Sequence, residues 1–356
     1  MAYRFRLIPA VLFLCACSDD PRASAPDGSI PDDASATAGS TGGSLPPPDG
    51  GVDPCHAGFC PEAFPDTRRI RAVWADPSID RLWAVGDDGL VARREAGEWV
   101  VEASVPDALD ADLHGLWGSG TDDVWAVGQA GVILRWQGTE WTVVEVADPT
   151  FCGPALCRGN LEAVWGDGTG TVYAVGASHD LKPVISRWDG AAFTHRELDA
   201  SGTLRAIWGS SPTDVWVAGM FGLLFHGDGT DDWDQHTIPD RLPAFAGLWG
   251  SSGDDVWAVA DSSAIYHWGG TAWEAERDPI VFSAGEFTIV RAVWGASARD
   301  VWAVGGAQGT TQTILHYDGQ AWSRPVQRME TPELTAVTGA GGRVIAIGAE
   351  GTVLMR

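Results

Sequence analysis

One motif, L-x-A-V-W-G, recurs along most of this chain and constrains its fold more than any other feature. Successive copies are 43, 48, 43, 41 and 45 residues apart, with their tryptophans at Trp74, Trp117, Trp165, Trp208, Trp249 and Trp294. A seventh copy, with Thr338 in place of tryptophan, follows 44 residues after the sixth. Self-similarity at a fixed period of this size is typical of repeat architectures.

Each repeat contains the signals of four short strands. A second motif, D-V-W-A-V-G, follows the first, and an apolar triplet and a glycine turn with an aromatic residue come after it. Short apolar runs rich in Val, Ile, Leu and Trp, separated by Gly, Asp and Ser, are typical of strands. No segment shows a sustained 3.6-residue period, so we expect almost no helix. Four strands in 41–48 residues match one propeller blade. The sequence therefore predicts an all-β, seven-bladed β-propeller of four-stranded blades over residues 55–356.

The last repeat ends at Arg356, after its third strand. Phe59 precedes Trp74 by 15 residues, just as Phe193 precedes Trp208 by 15. We therefore predict that an N-terminal strand at Gly58-Phe59 completes the last blade and closes the ring, which removes the exposed sheet edges of an open propeller.

The turn-plus-aromatic ending of the repeat, D-G-x-x-W at Asp318–Trp322 and G-T-x-W at Gly270–Trp273, resembles a degenerate Asp-box (BNR-like) repeat of sialidase-like propellers. The whole unit is also similar to propellers of the photosystem assembly-factor type and to repeat lipoproteins of myxobacteria-like genomes. This resemblance covers roughly residues 55–356. It implies a fold rather than an activity, because the Ser/Thr-x-Asp part of the Asp-box is mostly absent.

The N-terminus has the features of a bacterial lipoprotein signal. Two arginines precede an apolar stretch at Leu7–Leu14, which ends in Leu14-Cys15-Ala16-Cys17. This string resembles a lipobox and predicts a signal peptide over residues 1–16 and lipidation of Cys17. Ser18, rather than Asp, follows the cysteine and favours the outer membrane, facing the periplasm or the cell surface. An ordinary signal peptide with incidental cysteines is the alternative.

Residues 17–54 consist largely of Ser, Ala, Gly, Pro, Thr and Asp. This composition predicts a disordered, lipid-anchored tether, because it offers little to bury. The whole chain carries a formal charge of −25, so it repels phosphate backbones and we expect no nucleic-acid partner. The lipid anchor is the expected membrane contact, and we expect a monomer.

Four cysteines lie in the repeat region in two C-x-x-x-x-C pairs, which are Cys55 with Cys60 and Cys152 with Cys157. In an oxidising compartment this spacing favours two disulfides within the pairs. The alternative is a metal site, for which His56 is the nearby extra ligand. We expect no cofactor and no metal.

The residues that could suggest chemistry fall into repeat columns. All 19 tryptophans do so, which indicates packing between blades rather than a carbohydrate platform. His226, His267 and His316 share a third-strand column whose members lie roughly 15 Å apart, too far to share one zinc ion. The hairpin residues Asp123, Asp214, Asp255 and Asp300 are expected to hydrogen-bond local backbone.

Signatures of catalysis are missing from the sequence. A sialidase would need an arginine cluster, a tyrosine nucleophile with an acidic partner, and an acid. The four tyrosines are Tyr3 in the signal and Tyr173, Tyr266 and Tyr317 in strand columns. No nucleophile elbow, HExxH motif or phosphate loop is present either. We therefore expect that this protein is not an enzyme.

The blades differ most in their loops, and binding specificity is carried by loops. The extended loops contain Cys152–Cys157, His179–Lys182, residues 279–288 and residues 306–312, and all should lie on one face. We predict binding residues in and near these loops: His179, Asp180, Lys182, Phe221 and Gln308.

We therefore predict an envelope or surface binding or scaffold module for a protein or a glycan. The alternatives are a sialidase-like glycan hydrolase or lyase and a structural envelope component. An enzyme should bring acidic and arginine side chains together at the channel mouth, whereas a binder should show an apolar or aromatic patch.

Overall fold

The computed structural model describes residues 55–77, 81–102, 111–145, 159–238, 241–276, 289–306, 312–326 and 331–356. These residues form seven four-stranded antiparallel sheets. The helical elements of this part are three short 3-10 turns: η1 (Gln129–Gly131), η2 (Met220–Gly222) and η3 (Ala349–Gly351). No helix in the part described is long and apolar enough to cross a membrane. The predicted seven-bladed, all-β propeller is confirmed.

Each blade uses four consecutive strands, called a to d from first to last. Blades 1 and 2 comprise β2 (Ile70–Ala75), β3 (Arg81–Gly86), β4 (Val91–Glu95) and β5 (Glu98–Val101), then β6 (Leu113–Gly120), β7 (Asp123–Gly128), β8 (Ile133–Trp136) and β9 (Trp141–Glu145). Blades 3 and 4 comprise β10 (Asn160–Gly166), β11 (Val172–Ala177), β12 (Pro183–Trp188) and β13 (Phe193–Glu197), then β14 (Leu204–Ser211), β15 (Asp214–Gly219), β16 (Leu224–Gly227) and β17 (Trp233–Gln235). Blades 5 and 6 comprise β18 (Phe245–Ser252), β19 (Asp255–Ala260), β20 (Ile265–Trp268) and β21 (Trp273–Ala275), then β22 (Val290–Ser297), β23 (Asp300–Gly306), β24 (Gln312–Tyr317) and β25 (Trp322–Ser323).

Blade 7 combines the two ends of the repeat region. Its strands a to c are β26 (Leu334–Ala340), β27 (Arg343–Gly348) and β28 (Val353–Met355), and strand d is β1 (Cys60–Pro61). The predicted closure by an N-terminal strand is confirmed, but the paired residues are Cys60 and Pro61 rather than Gly58-Phe59. The reason is that the backbone of Phe59 is used in a tight turn, where it exchanges two hydrogen bonds with His56. The Phe59 ring is fully buried against Trp302, with ring centroids 5.4 Å apart.

The first strand of each blade lies innermost and contacts the first strands of both neighbouring blades. Small residues at the third position of these strands permit this close approach. A Cβ atom on Gly115, for example, would lie 2.8 Å from the Cα atom of Ala163 in the next blade. The core is correspondingly divided into seven apolar clusters, each formed by the facing surfaces of two adjacent blades.

The tryptophan columns occupy these interfaces. The second-motif tryptophans are almost completely buried: Trp83, Trp125, Trp216, Trp257 and Trp302. The first-motif tryptophans are half-buried, and each ring lies against a strand-a glycine of the next blade, as Trp74 does on Gly118. Burying a side chain of this size stabilises the fold by roughly 1.5–3 kcal/mol, so these columns are the main packing element of the ring.

The strand order divides the loops between two faces. The described b–c and d–a connections lie on one face, called here the upper face, and the described a–b and c–d turns lie on the opposite, lower face. The lower face repeats its sequence closely from blade to blade, whereas the upper face does not.

Candidate functional site

The repeated aspartates of the lower face form a side-chain network. In blade 4, Asp214 accepts hydrogen bonds from the Ser210 hydroxyl and from Nε2 of His226, the latter at 2.7 Å. The His226 ring also stacks on Trp216, with centroids 4.4 Å apart. The prediction that these aspartates bond local backbone is therefore wrong. Their carboxylates instead bond side chains, because the third-strand arginine or histidine points at the hairpin.

The same arrangement recurs in blades 2, 5 and 6. Asp123 binds Arg135, Asp255 binds His267 and Asp300 binds His316. Each histidine of this column is thus held by the aspartate of its own blade. Within the ranges that the structure describes, no three potential metal-ligating side chains come together.

A second polar column, which sequence reasoning missed, lies at the upper end of the innermost strands. Its members pair with acids of neighbouring blades: Arg71 with Asp112 at 3.1 Å, His114 with Glu162 at 3.1 Å, Arg205 with Asp261 at 2.9 Å and Arg291 with Glu333 at 3.4 Å. A register irregularity falls at this position in every blade. Acidic and arginine groups do meet at the channel mouth, but the arginines are paired with carboxylates and act as ties between blades.

The predicted binding residues that the structure describes lie on the upper face. His179, Asp180 and Lys182 are exposed in the b–c loop of blade 3, and Phe221 is exposed in the b–c turn of blade 4. Lys182 Nζ lies 3.8 Å from a carboxylate oxygen of Glu197. Gln308, Cys152, Cys157 and Cys17 lie outside the described residues.

Three exposed apolar side chains form what we call the apolar rim patch: Leu181, Phe221 and Leu242. Their exposed fractions of 62%, 61% and 79% are the three highest among the large apolar residues described. They follow one another around the upper face of blades 3 to 5. The Gly202 amide donates a 2.7 Å hydrogen bond to the Leu181 carbonyl, and a Cβ atom on Gly202 would lie 3.1 Å from the Phe221 ring. A Cβ atom on Gly222 would in turn lie 3.2 Å from the Leu242 side chain.

The backbone at Leu181 and Phe221 adopts a conformation that large side chains rarely occupy. Both have φ = +56°, in the left-handed region. The same position of the b–c turn is left-handed in the other blades described there, where it holds Asp88, Ala130, Ser263 and Glu350. A left-handed conformation costs a non-glycine residue roughly 1–2 kcal/mol, and bulky side chains are rare there. Blades 3 and 4 thus place large apolar groups at a strained, solvent-facing position where other blades carry small or polar residues.

Basic residues border this patch although the chain is strongly acidic. Lys182, the single lysine of the chain, is adjacent to Leu181, and Arg241 is adjacent to Leu242. Arg241 is exposed. Asp180 adjoins Leu181 on its other side, so the patch offers apolar contact bordered by charges of both signs.

The closing strand carries the disulfide within the first cysteine pair. Cys55 and Cys60 are bonded, with their Cα atoms 4.2 Å apart. This link lies beside β1, at the seam of the ring, and so belongs to closure rather than to the upper face.

The sequence matches no protein-family model and no curated protein. Solved structures do resemble it. One is described as YCF48 bound to D1 peptide, with a TM-score of 0.64 at 16% identity over 83% of this chain and 94% of that one. A streptogramin B lyase gives a TM-score of 0.67 at 14% identity, covering 84% and 97% of the two chains. The WD40 β-propeller domain of Doa1 gives a TM-score of 0.62 at 13% identity, covering 82% and 93%.

These similarities establish a propeller fold that occurs in proteins of different kinds. At such low identity they do not decide among activities, since one fold serves many functions.

Proposed function

We propose that this chain is a lipid-anchored binding module of the bacterial envelope that captures a segment of another protein on the apolar rim patch, and that it does not catalyse a reaction. The observation that carries this proposal is the patch itself. Leu181, Phe221 and Leu242 expose apolar surface at neighbouring positions of one face. Exposed apolar groups that cluster on a soluble protein mark interaction sites.

The chemistry of the patch favours a protein partner over a glycan. Two of its three members are leucines, which offer dispersion contact and no hydrogen bond. An apolar peptide side chain gains most from such a surface, and a small number of buried aromatic or aliphatic anchors dominates protein interfaces. The neighbours described as binding a peptide or belonging to a WD40 domain add general support for protein binding by this fold.

The channel mouth supports the non-enzymatic part of the proposal. Arg71 and Arg205 are each paired with a carboxylate, and Arg291 shares that of Glu333 with Arg69. Such pairing leaves Arg71 and Arg205 poorly suited to hold the carboxylate or phosphate of a substrate, because the charge of the guanidinium is already balanced.

The envelope location rests on the N-terminal sequence. A lipobox-like string ending at Cys17, followed by a tether with few apolar residues to bury, suits a protein held away from a lipid surface. Mass spectrometry of the mature chain tests this part. A diacylated or triacylated N-terminal Cys17 supports it, and an unmodified Cys17 inside a longer chain contradicts it.

Selection from a random displayed-peptide library tests the binding function. We expect enriched peptides to carry two or three apolar side chains and to lose at least tenfold in affinity for the Phe221→Ser variant. Val100→Ser and Val143→Ser are matched controls, because these side chains are 55% and 41% exposed away from the patch. Peptides that bind all variants equally, or no enriched peptide at all, would contradict the proposal.

A further inference from the structure

Most interfaces between blades contain a repeated group of three aromatic rings, and the interface between blades 3 and 4 is one of three that depart from it. A second-motif aromatic of one blade meets a third-strand aromatic and a turn aromatic of the next. In four interfaces this group is complete: Trp83/Trp136/Trp141, Trp125/Trp188/Phe193, Trp216/Trp268/Trp273 and Trp257/Tyr317/Trp322. Between the second-motif ring and the turn ring the centroids lie 5.2–6.0 Å apart.

At the interface between blades 3 and 4 this group of three aromatic rings is incomplete. Tyr173 replaces the second-motif tryptophan, and Gly227 replaces the third-strand aromatic. The c–d turn of blade 4 is also one residue longer, with four steps from Gly229 to Trp233 where blade 2 has three from Gly138 to Trp141.

The Trp233 ring occupies part of the space that a third-strand aromatic ring fills in other blades. A Cβ atom on Gly227 would lie 2.8 Å from the Trp233 ring, so this ring covers the glycine. The Trp233 centroid is 6.4 Å from that of Tyr173, and Trp233 is half-buried. A cavity of about 340 Å³ remains between the blades, at the lower end of the range for small-molecule sites.

Arg187, which lines this cavity, lacks the acidic partner of its column. In blades 2, 4, 5 and 6 the third-strand arginine or histidine binds the hairpin aspartate, but blade 3 has Thr171 at the position of the aspartate. The Arg187 guanidinium lies 5.8 Å from the Tyr173 ring centroid and makes no hydrogen bond or ion pair within the described ranges.

A second arginine enters the same cavity. Arg196 lies opposite Ile185 on the next strand and so shares the face of Arg187. Its closest acid is Asp232, at 3.9 Å, whose side chain is 96% exposed. Two guanidinium groups with weak or no carboxylate pairing thus line one cavity in an acidic protein.

We propose that this cavity binds a carboxylate-bearing sugar, such as a hexuronate unit of an acidic glycan. Arg187 and Arg196 hold the carboxylate, because a guanidinium donates paired hydrogen bonds to a carboxylate. The half-buried Trp233 ring contacts the apolar face of the sugar ring, and the almost fully buried Tyr173 ring lines the inner wall of the cavity. Thr194, Thr230 and Asp231, which also line the cavity, offer groups for the sugar hydroxyls.

A second cavity offers a comparison of charge. A space of about 400 Å³ at the interface of blades 6 and 7 is lined by Arg299, Arg356, Asp300 and Asp318. There the Arg356 guanidinium lies over the Trp302 ring at 4.6 Å, and His316 binds Asp300. Its two arginines are matched by two carboxylates, whereas the cavity between blades 3 and 4 is lined by two arginines and one acid, so an anion is favoured in the latter.

Saturation-transfer NMR on the full chain in detergent, with sodium glucuronate as the probe and glucose as the neutral control, tests this site. We expect glucuronate to bind and glucose at the same concentration to give no transfer. Arg187→Gln should weaken glucuronate binding at least tenfold, since it removes one charge-assisted contact. Arg135→Gln is the matched control from the same column of blade 2 and should leave the affinity unchanged. Tyr173→Trp, which restores the residue of the other blades and fills the cavity, should also abolish binding.

Several results would overturn the proposal. They are no glucuronate binding at 50 mM, equal affinity for acetate, equal affinity in Arg187→Gln, or tighter binding of a peptide C-terminal carboxylate. The site is independent of the apolar rim patch, so Phe221→Ser should leave glucuronate binding intact.

Discussion

Trp216 and Phe221 lie five residues apart in blade 4 and occupy opposite environments. Trp216 is completely buried and surrounded by His226, Trp268 and Trp273. Phe221 is 61% exposed, with a left-handed backbone. Four other blades carry a tryptophan at the position of Trp216, whereas no other blade carries an aromatic residue at the position of Phe221 in the part described.

The difference separates residues that build the ring from residues that can recognise a partner. A side chain that recurs in most blades is explained by the packing that these blades share. A large apolar side chain that appears in only two blades, in a strained and exposed position, gains nothing for the fold. The following predictions measure how far this separation holds.

The largest effect should come from the repeated column. Trp216→Ala should lower the free energy of unfolding by roughly 3–5 kcal/mol, because it removes a buried indole and leaves a cavity between blades 4 and 5. Denaturant unfolding followed by circular dichroism measures this loss. A loss below 1 kcal/mol would mean that the column is not the packing element described above.

A smaller loss is expected at the seam, where residues outside the repeat complete blade 7. The Cys55–Cys60 disulfide closes a loop with a sequence separation of 5, so the double variant Cys55→Ser/Cys60→Ser should lose about 2 kcal/mol. The chain should still fold, because Phe59 continues to pack on Trp302. Unfolding with and without reductant should give the same difference, and a variant as stable as the oxidised chain would contradict the prediction.

The repeated c–d turns should add a modest acid sensitivity. Backbone amides of Ala192 and Ala191 hold the pKa of Asp189 below its ordinary value of 3.8, and those of Ala321 and Gln320 do the same for Asp318. A carboxyl whose pKa is lowered by folding stabilises the fold above its unfolded pKa and loses that contribution as the pH falls through the folded value.

The melting temperature should therefore fall as the pH drops below about 4. Asp189→Asn/Asp318→Asn should make that fall shallower, because an amide accepts the same backbone bonds without titrating. Parallel curves for the two proteins, measured by thermal denaturation from pH 5 to 2.5, would show that these turns do not contribute.

Much of the fold could be predicted from the sequence because each blade repeats the same pattern. The spacing of Phe59 from Trp74 predicted the closing strand, and the first and second motifs predicted the inner strands. The two-residue shift of the closing pair arose because the His56–Phe59 turn depends on backbone hydrogen bonds that no residue pattern specifies.

The apolar rim patch was predicted only in part. Phe221 and the neighbouring Lys182 stood among the predicted binding residues, but Leu181 and Leu242 did not, because single apolar residues in loops look unremarkable. Alignment of the b–c turns would have shown Leu181 and Phe221 opposite Asp, Ala, Ser and Glu. The column of Arg71 was missed because its carboxylate partners come from other blades. The predicted partner of Asp214, the local backbone, was wrong because a hairpin carboxylate can bond either a nearby backbone amide or a third-strand side chain, and only the structure distinguishes the two.

The separation of fold from recognition is tested most directly by one variant measured in two ways. Phe221→Ser copies the residue that blade 5 carries at the same position, Ser263. Its free energy of unfolding should be unchanged within about 0.5 kcal/mol, while its affinity for library-selected peptides falls at least tenfold. A variant that loses stability together with affinity, or one that keeps full affinity, would contradict the account.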